Sequence, residues 1–454
     1  MTAGLLWLAS LLALPAAGAP LLLDPVFRKY GAPARFVLAG AVGGVALSET
    51  MTLASLFRLP WNLAGLVLAA AILCFALRFA LPRKGAPTEA PAPTPLSTFE
   101  RAGFAVCAAA VVAAAASALS SAATSPDLIL FWGPKAEVFA AALGIDDNFL
   151  GEPFLRYLHT SYPPLVTNIY AFATMAAGRF SWMGAVATFP LLLSAAVAAL
   201  PGVLRLAVPR REAIAGAAAI AASLAFLGHR LEIAGNADMA LLVYAALATA
   251  VLLGPAGEER SGQLLAGLLL GGAAASKVEG LPLVVAAGGL FLLQRRRAVS
   301  WRWTPVLLFA PTVLSLGAWF LFGRLRYLFR GYEGYGRARD VRFDQIPSVL
   351  AELATALWRA GALPWLLPIA ALAAAKGKSP RFLYPTGVAA VLSAFFLFTY
   401  LHDVPDRQLW IAWSAGRVFA VVSVLLVLAV IAGRTKPGDG GTAGGPGTEE
   451  ATRG

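Results

Sequence analysis

Apolar segments close to the length of a bilayer crossing recur along almost the whole chain of 454 residues. A transmembrane helix needs about 20 mainly apolar residues to cross a hydrocarbon core of about 30 Å. Hydrophobic residues make up 59% of the chain and charged residues 13%, a balance foreign to soluble domains. We predict an all-α polytopic integral membrane protein with spans at 3–23, 36–57, 62–82, 103–123, 184–207, 213–228, 237–254, 304–323, 361–375, 382–401 and 413–433.

One further apolar run, residues 263–293, is too long for a single span and carries Lys277 and Glu279 at its middle. Two short helices that meet at the sequence SKVEG fit this run better than one helix. With this hairpin the prediction comes to about 13 transmembrane helices.

Short basic clusters separate the apolar segments and set the orientation, because cytoplasmic loops are enriched in Lys and Arg. The clusters predict an extracytoplasmic N-terminus and a cytoplasmic, disordered, Gly-rich tail at 434–454. They also account for much of the net charge of +12, so we predict no nucleic-acid partner. The clusters are Arg28-Lys29, Arg83-Lys84, Arg210-Arg211, Arg295 to Arg297, Lys376 to Arg381 and Arg434 to Lys436.

Residues 162–178 are apolar enough to cross, but a crossing here would invert every later loop against the basic pattern. We therefore predict a helix that lies along the outer leaflet or dips into it. Cys74 and Cys107 both lie inside apolar segments, which argues against a disulfide or a cysteine metal site.

In this arrangement many ionisable residues fall at the outer ends of spans, above all in the polar and aromatic stretch 125–164. Ionisable groups at membrane depth are expensive and by default mark a functional site. The clustering predicts one extracytoplasmic site, and the alternative is that loop residues are polar because loops are wet.

Four motifs follow one another along the chain, each at a predicted outer end of a span. They are Asp127 with Trp132, Pro134-Lys135-Ala136 and Tyr162-Pro163-Pro164-Leu165; GNADMAL at 235–241; GGAAASKVEGL at 271–281; and WIAWSAGRV at 410–418. In this order they resemble the outer ends of spans in the GT-C superfamily, membrane glycosyltransferases that use polyprenyl-phosphate sugars. The resemblance is to the protein mannosyltransferase and aminoarabinose transferase type.

This resemblance implies a glycosyltransferase module at 101–433, with helices of residues 1–100 as an N-terminal addition. It places a first outer loop at 124–183 and a long, mobile outer loop at 324–360. The implied reaction moves a sugar, with inversion, from a polyprenyl-phosphate donor to an extracytoplasmic lipid, glycan or protein. The implied location is the cytoplasmic (inner) membrane of a bacterium, with the active site on the outer face.

The resemblance assigns the catalytic roles to two aspartates. Asp127 matches the position of the family's catalytic Asp and is expected to be the general base that takes the acceptor's proton. Its alternative role is to cap the helix that begins near Leu128. Asp238 is expected to orient the acceptor or share the proton, unless it only caps the following helix.

Cationic and aromatic residues are the candidates for donor binding, since Arg and Lys bind phosphate through charge-assisted hydrogen bonds. Lys277 and Glu279 have the alternative of neutralising each other, and the loop arginines that of meeting anionic headgroups. His159 replaces an acidic residue of the family pattern. The candidates are Lys135, His159, Tyr162, Lys277, Glu279, Arg324, Arg326 and Arg417.

Asp146 and Asp147 form a pair that could bind a divalent cation, Mg²⁺ or Mn²⁺, or contact the acceptor. A plain turn in GIDDNF is the alternative.

Two other classes of function stay open at this point. A transporter or lipid flippase also has many helices and buried charges, although transporters often carry paired broken helices and only one such hairpin is visible here. An inactive scaffold subunit of an envelope complex is the other.

Overall fold

The computed structural model describes residues 2–79, 95–120, 125–152, 154–155, 161–205, 207–227, 235–295, 302–326, 328, 341–375, 380–402 and 406–434. Over these residues the fold is all-helical, and the β pairing found within them is a single bridge between Val341 and His402. The helices are α1 Thr2–Ser10, α2 Ala13–Leu22, α3 Ala32–Leu56, α4 Leu63–Phe79, α5 Thr98–Ser120, α6 Gly133–Ala142, α7 Asp147–Gly151, α8 Leu165–Ala177, α9 Trp182–Leu204, α10 Arg210–Leu227, α11 Ala237–Leu253, α12 Arg260–Ser276, α13 Gly280–Arg295, α14 Thr304–Leu325, α15 Ile346–Arg359, α16 Leu363–Ala375, α17 Pro380–Tyr400 and α18 Arg407–Ala432.

Helix covers most of the described part of each predicted span. The all-α fold is confirmed, and its long apolar helices are those of a membrane protein. Six segments of the described chain are long and apolar enough to cross a bilayer: Thr2–Leu22, Ala32–Leu56, Trp182–Leu204, Thr304–Leu325, Arg381–Tyr400 and Arg407–Ala432. A seventh would be the pair Phe343–Arg359 and Leu363–Ala375, which is bent by 105°. Several other helices are shorter, such as α13 with 16 residues. The count of about 13 crossings stays a prediction.

The predicted hairpin at SKVEG is confirmed. Helix α12 ends at Ser276, α13 begins at Gly280, and Lys277 to Glu279 form the turn between them. A side chain at Gly280 would place its Cβ 2.1 Å from the carbonyl oxygen of Ala273. Only glycine therefore lets α13 start so close to the end of α12.

Helix α8 occupies the apolar segment at 162–178. Its 13 residues make it about 20 Å long, too short to cross the hydrocarbon core. Residues Leu165 to Thr174 are all buried, and Asn168 donates hydrogen bonds to Ser48 and Thr52 of α3. Protein surrounds this helix, so it does not lie along a leaflet surface as one form of the prediction had it.

The N-terminal helices pack into the middle of the bundle. Helix α3 contacts α8, α9, α12 and α14 as well as its neighbours α2 and α4. It approaches α2 closely at Gly43, where a Cβ would lie 1.8 Å from the carbonyl oxygen of Leu14. Glu49 of α3 accepts a hydrogen bond from Ser315 of α14. A domain boundary near residue 100 stays a prediction, but α3 is an integral part of the bundle.

The predicted loop at 324–360 contains structure at both ends. Helix α14 continues to Leu325, and α15 packs one apolar face, with Val349 and Leu353, against α18. Residues 329–340 lie outside the described part of the chain, and so does the predicted tail beyond Arg434.

The basic clusters that the structure describes gather at one end of the bundle, which we call the basic end. Five contacts connect the loops at this end: Lys29 with Glu259 (2.7 Å), Arg295 with Glu258 (2.6 Å), Arg210 with Glu100 (2.9 Å), Arg205 with the carbonyl oxygen of Lys29, and Arg381 with the carbonyl oxygen of Ala207 (3.3 Å). A common end for these loops is what the positive-inside pattern requires.

The α12–α13 turn lies at the opposite end. Helix α12 begins at Arg260, beside the Lys29–Glu259 pair, and its 17 residues span about 25 Å before Lys277. The two ends are therefore separated by nearly the thickness of a hydrocarbon core of about 30 Å.

Labelling of single cysteines tests the orientation. We expect Glu137→Cys and Asp344→Cys to react with an impermeant thiol reagent added to intact cells, and Arg260→Cys, at the basic end, to react only after lysis. Glu137, Asp344 and Arg260 are all exposed, whereas the native Cys74 and Cys107 are buried. Labelling of Arg260→Cys alone in intact cells would reverse the assigned faces.

Candidate functional site

Five charged side chains from four separate segments meet at the end of the bundle opposite the basic end. Asp127 precedes the π-helical turn Leu128–Trp132, Asp238 lies in the first turn of α11, Lys277 and Glu279 form the α12–α13 turn, and Arg417 belongs to α18. We call these five residues the charged cluster. Each of them is a site residue predicted from the sequence.

Asp238 lies between the two cations of the cluster. Its Oδ1 accepts a hydrogen bond from Lys277 Nζ at 2.8 Å, and its Oδ2 lies 3.9 Å from Arg417 Nη1. Arg417 Nη1 also donates to Asp127 Oδ2 at 2.9 Å, and Lys277 Nζ lies 3.1 Å from Glu279 Oε1. The carboxylate of Asp238 thus connects an Arg417–Asp127 pair with a Lys277–Glu279 pair.

The cluster is buried at Asp238 and Lys277 and half-buried at its other three residues. It carries an excess of one negative charge, since three carboxylates face two cations. The side chain of Asp238 is 4% exposed, and that of Arg417 is 19% exposed. Three buried atoms, Asp238 Oδ2, Glu279 Oε2 and Arg417 Nε, have no hydrogen-bond partner among the described residues. Buried polar atoms are almost always hydrogen-bonded, so these atoms are suited to receive a polar ligand.

A close contact between two loops brings the two aspartates together. Gly235 has a φ of +80°, and a Cβ there would lie 2.9 Å from Leu128 Cδ2. Glycine alone permits both the left-handed backbone and this contact. The hydroxyl of Tyr170 fixes the same loop by donating to the carbonyl oxygen of Gly235 at 3.1 Å. As a result the residue before Leu128 and the start of α11 meet.

The capping alternative for Asp127 finds no support. Its side chain makes no capping hydrogen bond to the turn that follows and pairs with Arg417 instead. Lys277 and Glu279 do neutralise each other in part, as their alternative reading had it, but both also belong to the larger cluster.

Sequence analysis missed Tyr400, which lies beside the cluster. The Tyr400 hydroxyl is 2.8 Å from Ser414 Oγ, and Ser414 lies one turn before Arg417 on α18. Tyr400 is also within electrostatic range of Lys277, Glu279 and Arg417. The available signal was its position at the end of α17 opposite the basic end, two residues before His402. Its hydroxyl can contribute a hydrogen bond at the site.

Lys135 and two aromatic residues form a second group in the predicted first outer loop. The ammonium of Lys135 lies 4.4 Å from the centroid of the Trp132 ring, a cation–π contact. Trp132 meets Tyr162 edge to face, with 5.8 Å between centroids. Burial lowers the pKa of Lys135 to about 7, so its charge is sensitive to pH near neutrality.

The two remaining loop arginines do not join the charged cluster. Arg326 Nε lies 3.5 Å from Asp147 Oδ2, and Arg326 also donates to the carbonyl oxygen of Leu56 at 3.4 Å. Arg324, at the end of α14, is exposed. His159 lies outside the described residues.

The proposed metal pair has structural partners. Asp146 Oδ1 accepts a hydrogen bond from the backbone N–H of Phe149 at 3.0 Å and caps α7, as the turn alternative had it. Asp147 pairs with Arg326. Within the described part of the chain, no three His, Cys, Asp or Glu side chains are grouped to hold a metal ion. A role for Mg²⁺ or Mn²⁺ at Asp146 and Asp147 stays a prediction.

Comparison of the chain with protein-family models, with curated proteins and with solved structures finds no match.

Proposed function

We propose that this chain is a GT-C-type glycosyltransferase that moves a sugar from a polyprenyl-phosphate donor to an extracytoplasmic acceptor. One observation carries the proposal. Residues 127, 238, 277, 279 and 417 were selected from four separate motifs of the sequence, and they form a single buried cluster. If the resemblance were accidental, there would be no reason to expect these five residues to lie together.

The reaction needs a base for the acceptor hydroxyl and cations for the departing phosphate. Asp127 is the proposed base, since its carboxylate takes part in one ion pair and is 19% exposed. Arg417 and Lys277 are the proposed phosphate ligands, and Asp238 holds both cations in place. In an inverting transfer the acceptor oxygen bonds to the anomeric carbon, the bond to the phosphate oxygen breaks, and Asp127 takes the acceptor's proton.

The ion pairs of the cluster imply an order of events. Arg417 donates to Asp127 at 2.9 Å, so an incoming phosphate competes with that carboxylate for the guanidinium. Arg417 in contact with phosphate would leave Asp127 free to accept a proton. Donor binding thereby activates the base, which limits transfer to complexes that already contain the donor.

The position of the cluster favours an enzyme over a transporter. Transporter sites lie near the bilayer midplane. The charged cluster lies about 25 Å along α12 from the basic end, close to the far boundary of the hydrocarbon core. With the basic end in the cytoplasm, the site lies on the extracytoplasmic side of a bacterial inner membrane, next to the predicted first outer loop. The chain would cross this membrane about 13 times.

The pH dependence of donor binding tests the role of Lys135. If the Lys135 ammonium binds the donor phosphate, affinity is greatest below pH 7 and falls as the pH rises, because the pKa of this group is about 7. KM for the donor is expected to rise about fivefold between pH 7 and pH 8, because the protonated fraction falls from about one half to about one tenth. Lys135→Arg stays charged over this range, so its KM for the donor should change little between pH 7 and pH 8. If KM in this variant rises with pH as it does in the wild type, Lys135 is excluded from donor binding.

Mass spectrometry of envelope lipids and glycans tests the proposed function in cells. Removal of the gene is expected to eliminate a lipid or glycan species that is one sugar residue heavier than its unglycosylated acceptor. Expression of the wild type or of Glu137→Gln should restore them, and Asp127→Asn should not. Identical lipid and glycan profiles with and without the gene would contradict the proposal.

A further inference from the structure

A large cavity lies near the basic end, between α5, α10, α16 and α18, and no step of the proposed reaction uses it. Its volume is about 580 Å³, within the range of about 300–1,000 Å³ typical of ligand sites. The charged cluster lies at the other end of the bundle: Arg434 follows Arg417 by 17 residues, about 25 Å along α18. The cavity is therefore a separate site.

The cavity has charged and apolar parts. Arg211 and Glu212 at the start of α10 and Arg434 after the end of α18 provide the charges. Arg211 also lies over the ring of Phe99, with 4.5 Å to the centroid. The oxygen Glu212 Oε2 is buried and has no hydrogen-bond partner within the described residues. Two cations and one carboxylate, whose buried oxygen lacks a hydrogen bond, thus line the same cavity.

The rest of the wall is apolar and extends along the helices away from these charges. On α10 it is lined by the small residues Ala215 and Ala219, and on α16 by Ile369 and Leu372. Ala219 and Leu372 are exposed, and both belong to predicted spans, which lipid would surround. The cavity is therefore open to lipid and continuous from charged to apolar.

We propose that this cavity binds a membrane phospholipid whose headgroup carries both a phosphate and a primary ammonium. Arg211 and Arg434 suit the phosphate, because guanidinium groups bind phosphate with charge-assisted hydrogen bonds. Glu212 suits the ammonium and would gain the hydrogen bond that its buried oxygen lacks. An acyl chain fits against the apolar wall.

The three charges discriminate between headgroups. A headgroup with phosphate and no cation would leave Glu212 without a partner and facing a like charge. A choline headgroup has a cation but no N–H to donate. A serine headgroup would bring a second carboxylate close to Glu212. The occupant is therefore the ethanolamine type of phospholipid, and the proposal does not depend on the proposed transferase activity.

Native mass spectrometry of the purified full chain tests this proposal with three lipids of equal acyl chains. Dioleoyl phosphatidylethanolamine is expected to bind more tightly than the phosphatidylglycerol and phosphatidylcholine counterparts. Arg211→Gln and Arg434→Gln should each weaken its binding about fivefold, as expected for loss of one cation. Glu212→Gln should weaken binding of the phosphatidylethanolamine and strengthen binding of the phosphatidylglycerol.

Arg295→Gln is the matched control, since Arg295 is a basic-end arginine that pairs with Glu258 outside the cavity. It should leave lipid binding unchanged. Ala219→Trp should fill the apolar part and abolish retention of the ethanolamine lipid. Glycerophosphoethanolamine, the headgroup without chains, should not compete.

Equal retention of the three lipids by the wild type would overturn the proposal without recourse to any variant. Unchanged binding in folded Ala219→Trp would do the same, and so would full competition by the chainless headgroup.

Discussion

Replacement of Asp127 by asparagine is expected to lower the rate of sugar transfer by about 100-fold or more. A positioned general base contributes about 10²–10⁴-fold to such reactions, and an amide cannot take the acceptor's proton. Asparagine has the shape of aspartate and keeps an oxygen to accept from Arg417. The variant should therefore insert and fold normally, and initial rates of transfer at saturating donor measure the effect.

Glu137→Gln is the control for this experiment, because Glu137 is an exposed carboxylate ten residues after Asp127 that takes no part in the charged cluster. It should transfer at the wild-type rate. A folded Asp127→Asn enzyme with wild-type turnover would exclude Asp127 as the base, and Asp238→Asn would then be the next variant to measure.

Removal of the Arg417 side chain charge is expected to destabilise the protein as well as inactivate it. Arg417→Met leaves three carboxylates with Lys277 as their one cation within the cluster. Breaking a buried ion pair from one side costs about 3–5 kcal/mol, because the partner charge stays buried. We expect a lower thermal unfolding temperature in detergent and a greatly weakened affinity for the donor.

A second substitution separates the two effects. Asp127→Asn combined with Arg417→Met removes one charge of each sign, so much of the lost stability should return while transfer stays absent. Arg417→Lys should keep the stability and recover donor binding only in part, since a point charge cannot reproduce the bidentate guanidinium.

Arg407→Met is the matched control on the same helix. Arg407 pairs with Glu352 at 3.1 Å, outside the charged cluster. Its replacement should therefore change the donor affinity little. Equal losses of donor affinity in Arg407→Met and Arg417→Met would show that Arg417 has no specific role at the phosphate.

Sequence patterns predicted the positions of the helices well because apolar runs and their interruptions record burial in lipid directly. The break at Lys277 to Glu279 is the clearest case, since charges at the middle of an apolar run can only mark a turn or a site. The same patterns could not predict crossings. Helices such as α8 and α13 are shorter than a bilayer, and their depth depends on the neighbours that enclose them.

The candidate site was predictable as far as the motifs reached. Charged residues at the ends of spans identified Asp127, Asp238, Lys277, Glu279 and Arg417 without showing that they touch. Which of the other predicted cations join them depends on tertiary packing, and Arg326 pairs with Asp147 instead. Tyr400 carries no charge, and its position near the end of α17 did not by itself identify it; its contact with Ser414 places it beside the site.

The central role of α3 was also beyond the sequence. Small residues such as Gly43 allow close helix approach, but hydropathy does not tell a helix enclosed by protein from one enclosed by lipid. For the same reason, nothing in the sequence around Glu49 predicted that this residue contacts another helix of the bundle. Its hydrogen bond to Ser315 joins the N-terminal helices to α14.

Release of free polyprenyl phosphate by the purified protein tests the central claim most directly. In detergent there is no membrane to transport across, so a flippase would leave a polyprenyl-phosphate sugar intact. We predict that the wild type, given this donor and a suitable acceptor, forms polyprenyl phosphate and glycosylated product in equal amounts, and that Asp127→Asn does not. The absence of release across a broad acceptor panel, together with movement of the intact donor across liposomes containing the protein, would contradict the glycosyltransferase and establish a flippase.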